Sequence, residues 1–185
     1  MTRLYVAVAS NHEPLANIVE ALTHLSKTTR LVAVSTFYET NDRGGLNAPR
    51  FTNGVVAFDS SLRTTVVRAR LLRSIEHALG RSPQTDLGAY VPMDLDLLLA
   101  QSDRGSPIGS AHRDVHERAY AALPLVEVAG NIEIGIGERL GAIAGRFSVE
   151  GMTRLDEFSD LLRQRFLNTS SASLDSAGPH LKMDH

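Results

Sequence analysis

The sequence predicts an α+β domain, a largely antiparallel sheet with helices packed on one face, and two observations carry that expectation. Short apolar runs rich in β-branched residues alternate with two helical-period segments in the order β-α-β-β-α-β. The 185 residues are enough for one buried core and few for two. That element order is ferredoxin-like, so residues 1–167 are expected to form a single domain and 168–185 a polar tail.

Leu4 to Ala9, LYVAVA, reads as the first strand, and the turn Ser10-Asn11-His12-Glu13-Pro14 puts proline where a helix can start. Leu15, Ile18, Val19, Leu22 and Leu25 follow at helical spacing and form one apolar face. Leu31 to Thr40 reads as a second strand, and the polar segment 41–50, with its Gly-Gly pair, as an exposed loop of the kind that closes over ligands. Phe51 to Phe58 reads as a third strand. Asp59, Ser60 and Ser61 are candidate N-caps for a helix from about Leu62 to Leu79, with the stripe Leu62, Val66, Ala69, Leu72, Ile75 and Leu79 and a glycine stop at Gly80. Met93 to Ala100 supplies the fourth strand. Residues 112–122 are mixed in character, and the glycine-rich stretch after Gly130 is a turn-rich segment. A last helix is expected from Arg154 to Phe166, with Leu155, Phe158, Leu162 and Phe166 on its apolar face.

Composition excludes several classes. The hydrophobic content of 43%, the charged content of 22% and a net charge of −2 point to an ordinary globular chain, with neither nucleic acid nor an anionic membrane as partner. The absence of cysteine excludes disulfides and thiolate metal sites. No run approaches the ~20 apolar residues that span a bilayer, and no secretory leader is recognisable at the start, so a cytoplasmic location is expected.

The run MDLDLLLA at 93–100 sets two acids into an otherwise apolar strand. Residues two apart in a strand face the same way, so Asp94 and Asp96 should lie side by side, roughly 6–7 Å apart, with Met93, Leu95 and Leu97 turned to the core. Two carboxylates that close repel unless cations intervene, and magnesium, completed by water and substrate phosphates, suits the pair. A solvated strand face is the plain alternative.

Around those acids stand FTNGVV at 51–56, Ile75-Glu76 followed by Leu79-Gly80-Arg81, and the series His112, His116-Glu117-Arg118, Pro124-Leu125 and Glu127. Their order and separations, from Leu4 to Ala129, resemble hydroxymethyl-dihydropterin pyrophosphokinase, a folate-pathway family with a ferredoxin-like core. The resemblance implies transfer of the β,γ-diphosphate of ATP to the hydroxymethyl group of a reduced pterin, with release of AMP. ATP is then the co-substrate, two magnesium ions the cofactors, and a monomer or small homo-oligomer the expected state. It also implies roles. Asp94 and Asp96 hold the metal and form the catalytic set with Arg81 and Arg118. Arg73, Glu76, His112, Arg113 and Arg118 belong to the nucleotide, where arginine forks suit phosphate oxygens. Asn53 reads the pterin edge with its paired donor and acceptor, Phe51 and Tyr120 sandwich the ring, and Thr40 lies in the segment along it.

One segment departs from that pattern. Between Arg81 and Asp94 the chain reads SPQTDLGAYVPM without a cation, where Pro83, Gly88 and Val91 replace the large and basic groups the family resemblance leads one to expect. Ala111-His112-Arg113-Asp114 likewise differs from the expected Pro-His-Pro-Arg. A relative that binds pterin or nucleotide without efficient turnover is therefore the alternative reading. The remaining motifs are weaker. GIGERLG at 135–141 has the wrong glycine spacing for a dinucleotide loop, and the pair His112 and His116 lacks a third zinc ligand at a recognisable spacing.

Overall fold

The computed structural model describes residues 1–41, 49–82 and 90–168. The chain runs β1 (Thr2–Ser10), α1 (Pro14–Ser26), β2 (Arg30–Val34), β3 (Tyr38–Thr40) and β4 (Phe51–Ser60). A helical segment follows in three parts, α2 (Thr64–Val66), a π-helical stretch (Val67–Leu72) and α3 (Arg73–Ala78), before β5 (Asp94–Gln101). Then come α4 (Arg113–Glu117), α5 (Ala119–Ala129), the small hairpin β6 (Glu133–Gly135) and β7 (Glu138–Arg139), α6 (Leu140–Ala144), β8 (Met152–Arg154) and α7 (Asp156–Leu167). The main sheet is antiparallel in every pairing, in the order β5-β1-β4-β3-β8, with β2 also on β4 beyond β3. The α+β, ferredoxin-like arrangement expected from the sequence is present.

Alternation along the strands divides the sheet into two faces. Leu4, Val6 and Val8 of β1 join Val56 and Phe58 of β4 in one core, beneath Ile18, Leu22 and Leu25 of α1 and Val67, Leu72 and Ile75 of the second helical segment. Tyr5, Val55 and Ala57 point the other way, into a second core closed by Ala122 and Leu125 of α5 and Leu140 and Ile143 of α6. The two helices expected from the sequence share one face as anticipated, but α5 and α6 cover the other as well, because the strands are apolar on both sides. Leu162 and Phe166 of α7 enter the first core.

Several boundaries differ from expectation for identifiable reasons. The predicted strand 31–40 is broken at Ser35–Phe37, where the Ser35 hydroxyl accepts the Val55 N–H and β4 passes from pairing with β2 to pairing with β3. The second helix starts at an Arg63 cap that makes no side-chain bond. Asp59 is instead held by both ends of the Arg3 guanidinium fork, at 2.7 and 3.1 Å, and the Ser60 hydroxyl accepts the Leu62 N–H. The expected stripe also shifts, leaving Leu62 and Ala69 exposed while Val67 and Leu72 are buried. The π stretch accounts for this, because closing i to i+5 brings residues five apart onto one face. Gly80 does stop the helix, at φ +93°, a backbone that glycine adopts without steric cost. Leu15 is exposed at the head of α1. The short strand β8 was not anticipated, the last helix begins at Asp156 rather than Arg154, and Leu155 precedes it. The expected loop at 41–50 and the polar tail lie largely outside the described residues.

Gly54 has a packing reason to be glycine. A Cβ there would sit 2.7 Å from the Phe37 ring, which lies fully buried against Phe158 of α7. The backbone of Phe37 is pinned on both sides: its N–H donates to the buried Ser159 hydroxyl and its carbonyl accepts from Leu155 N–H. A ring so fixed cannot retreat. Replacing Gly54 with alanine should therefore destabilise the protein by about 1–3 kcal/mol through overpacking, read as a lower midpoint in urea unfolding.

Candidate active site

Strand register assembles the site. Ala9 of β1 pairs with Asp94 of β5 on one side and with Asn53 of β4 on the other, and Asn53 pairs onward with Tyr38 of β3 and Tyr38 with Arg154 of β8. Directly paired residues project to the same face, so Asp94, Ala9, Asn53, Tyr38 and Arg154 form one row. Asp96 sits in the next row, beside Ala7. Two strand spacings put Asp94 roughly 10 Å from Asn53, and only the methyl group of Ala9 stands between them.

A bulge in β5 sets the limit of this row. Pairing shifts so that Val6 opposes Leu97 while Tyr5 opposes Leu99, leaving Leu98 as the extra residue. Leu95 and Leu97 meet the first core as expected, but Leu98 and Leu99 both join the second. Both faces of β5 are thus apolar in its later half, and the acids occupy only the open first half.

The acid end is held from the helix side. Buried Glu76 accepts the Leu95 N–H at 2.9 Å and an Arg81 N–H at 3.2 Å. Arg81 donates further to the Met93 carbonyl at 3.2 Å and forms a close ion pair with Asp94. Glu76, assigned to the nucleotide by sequence resemblance, is thus first a brace for β5 and Arg81. Its carboxyl is pushed up by burial, an effect the Leu95 N–H and Arg81 oppose. Burial also raises the Asp96 carboxyl, and the Asp94 charge adds to it, while His112 and Arg81 pull the other way. Arg68, Arg73, Glu76, Arg81, Asp94 and Asp96 line a cleft of about 400 Å³.

His112 stands at the head of α4 and accepts the Asp114 N–H on its ring nitrogen, at 3.3 Å, while Arg113 is exposed beside it. His116 faces Glu138 at 3.7 Å, across the β6–β7 hairpin, so the two histidines serve different contacts. Arg118 caps α5 at the junction with α4. Asp114 Oδ1 and Arg118 Nε are buried without a hydrogen-bond partner, an arrangement that native proteins rarely leave without a reason. No group of three or more acidic or imidazole ligands occurs among the described residues. Asp94 and Asp96 are nevertheless a donor set that fits magnesium, which takes few protein carboxylates and fills its shell with water and phosphate.

At the other end, the Asn53 amide donates to the Thr40 hydroxyl at 2.8 Å, and both residues are buried. Thr40 pairs with Phe51 across the sheet. Phe51 and Tyr120 are each half-buried, Tyr120 in the first turn of α5. Sequence reasoning missed the support behind Asn53. Glu127 of α5 accepts the Tyr38 hydroxyl at 2.8 Å and the Thr36 N–H at 2.7 Å. Burial and this bond push the Tyr38 hydroxyl up to about 12. Arg154 of the unanticipated β8 donates to Tyr38 and Thr36. Alternation within β3 was the signal available, since Tyr38 shares the face of Thr40. The chain entering β5 is tied to the end of β1, where the Ser10 hydroxyl donates to the Pro92 carbonyl at 2.7 Å and Asn11 N–H to the Val91 carbonyl at 3.0 Å. Pro83 and Gly88 of the cation-free segment lie outside the described residues.

Residues 5–130 match the family model described as 7,8-dihydro-6-hydroxymethylpterin-pyrophosphokinase. The chain belongs to that family. It is 34% identical to the 2-amino-4-hydroxy-6-hydroxymethyldihydropteridine pyrophosphokinase of Methylorubrum extorquens over 84% of this chain and the whole of that protein. Against the Pseudomonas aeruginosa enzyme of the same name, identity is again 34%, over 83% of this chain and 96% of the relative. The Haemophilus influenzae protein of that name is 27% identical over 84% and 99%. In this pyrophosphokinase family member the matched segment runs from within β1 through α5, and holds the site residues named above except Glu138 and Arg154. No helix among the described residues is long and apolar enough to cross a membrane.

Two measurements test the electrostatics of this site. Replacing Glu76 with alanine strands the Leu95 N–H and should cost about 1–3 kcal/mol of stability, whereas glutamine, which still accepts that bond, should cost much less; urea denaturation of both variants reads the difference. Asp96 destabilises the folded state when ionised, because its folded pKa is raised above the ordinary 3.8. Stability is complete below that value and lost as pH rises through the raised one. In EDTA, Asp96→Asn should therefore melt higher than wild type at pH 7, with the gap closing as pH falls towards 4.

Proposed function

We propose that this pyrophosphokinase family member transfers diphosphate from ATP to the hydroxymethyl group of a reduced pterin, releasing AMP, as a step of folate biosynthesis. The observation that carries the reading is the shared row of β5, β1 and β4. It sets a buried carboxamide suited to a flat heterocycle roughly 10 Å from a pair of carboxylates suited to magnesium and phosphate. A pterin whose edge lies on Asn53 can then extend its hydroxymethyl group over Ala9 towards the acids.

In this reading Asp94 and Asp96 hold magnesium, which offsets phosphate charge when bound. The chain's own groups do the positioning on which phosphoryl transfer depends. Glu76 fixes the Arg81 guanidinium against Asp94, so a cation stands at the phosphate end before substrate arrives. The partnerless Nε–H of Arg118 has an acceptor to gain in a diphosphate oxygen. Thr40 orients the Asn53 amide, with Tyr38, Glu127 and Arg154 stiffening the strand behind it, and Phe51 and Tyr120 offer ring faces to the pterin.

The test is AMP release from ATP with magnesium and reduced hydroxymethylpterin. Wild-type protein should form AMP only when the pterin is present. Asp94→Ala should lower that rate at least roughly 100-fold, since metal stabilisation of phosphoryl transfer supplies several kcal/mol and each 1.36 kcal/mol is tenfold. Absence of pterin-dependent AMP, with pterin or nucleotide still binding in calorimetry, would favour the binding-only reading that the cation-free segment 82–93 suggests.

A further inference from the structure

The π-helical stretch has a consequence beyond the core. On an α-helix, residues five apart lie about 140° from each other, at 100° per residue. A π turn closes i to i+5 and stacks them. Here the Arg73 N–H donates to the Arg68 carbonyl, the i to i+5 bond of a π turn. Two pairs are aligned by it. Val67 and Leu72 are buried in the first core, and one residue further on, Arg68 and Arg73 both line the cleft that contains Asp94 and Asp96. A regular α-helix with Val67 and Leu72 at the same positions could not bury both of them and also bring both arginines to that cleft.

Arg68 is placed differently from the other cations. It also lines a second cleft of about 460 Å³, which runs on past Leu97, Leu98 and Ile108 to His112, where the Ile108 and His112 N–H groups donate to the Ala100 and Leu98 carbonyls along the outer edge of β5. It is thus the residue common to the acid end and the more apolar end. Arg81 is committed to Glu76 and Asp94, and Arg73 lies 4.0 Å from Glu76, whereas Arg68 has no ion pair among the described residues. Between Arg81 and Asp94 the sequence offers no cation.

The geometry points to Arg68, aligned with Arg73 by the π turn, as the residue that binds the phosphate of ATP nearest the nucleoside, and AMP after transfer. The inference rests on the pyrophosphokinase reading above. Phosphates bound through magnesium at the acids and a flat base in the more apolar cleft leave the α-phosphate at their junction, where a solvated guanidinium fork can meet its oxygens.

Calorimetry with α,β-methylene-ATP plus magnesium, and separately with AMP, tests this on wild type, Arg68→Gln and Arg68→Lys. Loss of a charged hydrogen bond should weaken both nucleotides by roughly tenfold in the glutamine variant, with lysine recovering part of the loss. Pterin affinity and melting temperature should not change, since Arg68 is exposed and outside both cores. Equal affinities in wild type and Arg68→Gln overturn the assignment alone. So does a loss confined to the triphosphate analogue, which would move Arg68 away from the α-phosphate. Wild-type protein that binds neither nucleotide removes the pyrophosphokinase reading and this assignment with it.

Discussion

The site depends on the register of one strand. β1 is paired along its length with β4 and with β5, and a slip of one residue on either side would turn Asn53 or Asp94 to the opposite face. That face is a packed core under α1 and the second helical segment. Burial on both faces therefore penalises any other register, and the apolar residues of β1 hold the polar residues of its neighbours in place. Ala7 and Ala9 contribute by being small, since a longer side chain at Ala9 would fill the span between the carboxamide and the acids.

Rigidity and electrostatic tension are distributed unevenly along this frame. At the other end Asn53 donates to Thr40, and the neighbouring Tyr38 donates to Glu127 and accepts from Arg154. At the acid end, Asp94, Asp96 and Glu76 converge with Arg81 among them, and burial disfavours the ionised forms of Asp96 and Glu76. Fold stability alone would favour fewer carboxylates there. Carboxylates held at such a cost, lining one cleft with Arg68, Arg73 and Arg81, mark a candidate site. The π stretch belongs to the same compromise, giving up regular helical geometry while serving core and cleft together.

Much of this was legible in sequence because period-two and helical patterns report burial directly. The alternation of Leu4, Val6 and Val8 and the D-x-D spacing of Asp94 and Asp96 were enough to set the acids on one face. What the sequence concealed was what patterns cannot encode. The bulge at Leu98 follows a plain run of leucines, and the π turn has no residue that announces it, so the predicted stripe through Ala69 followed a regular helix. Tyr38 and Glu127 lie 89 residues apart, and β8 is only three residues long, too short for any period to show. Glu76 illustrates the limit most clearly. Its motif marks it as a site residue, and only the structure shows that it also braces Leu95 and Arg81.

The proposed reading rests on the row of Asn53, Ala9 and Asp94 spanning both substrates, with the pterin at Asn53 and the transferred phosphates at Asp94 and, one row further along β5, Asp96. A crystal structure with magnesium, α,β-methylene-ATP and reduced hydroxymethylpterin tests it most directly. The pterin edge should be hydrogen-bonded to the Asn53 amide with its hydroxymethyl group above Ala9, and Asp94 and Asp96 should hold magnesium beside the phosphates. A pterin bound away from Asn53, or a nucleotide whose phosphates lie away from the aspartates, would contradict it.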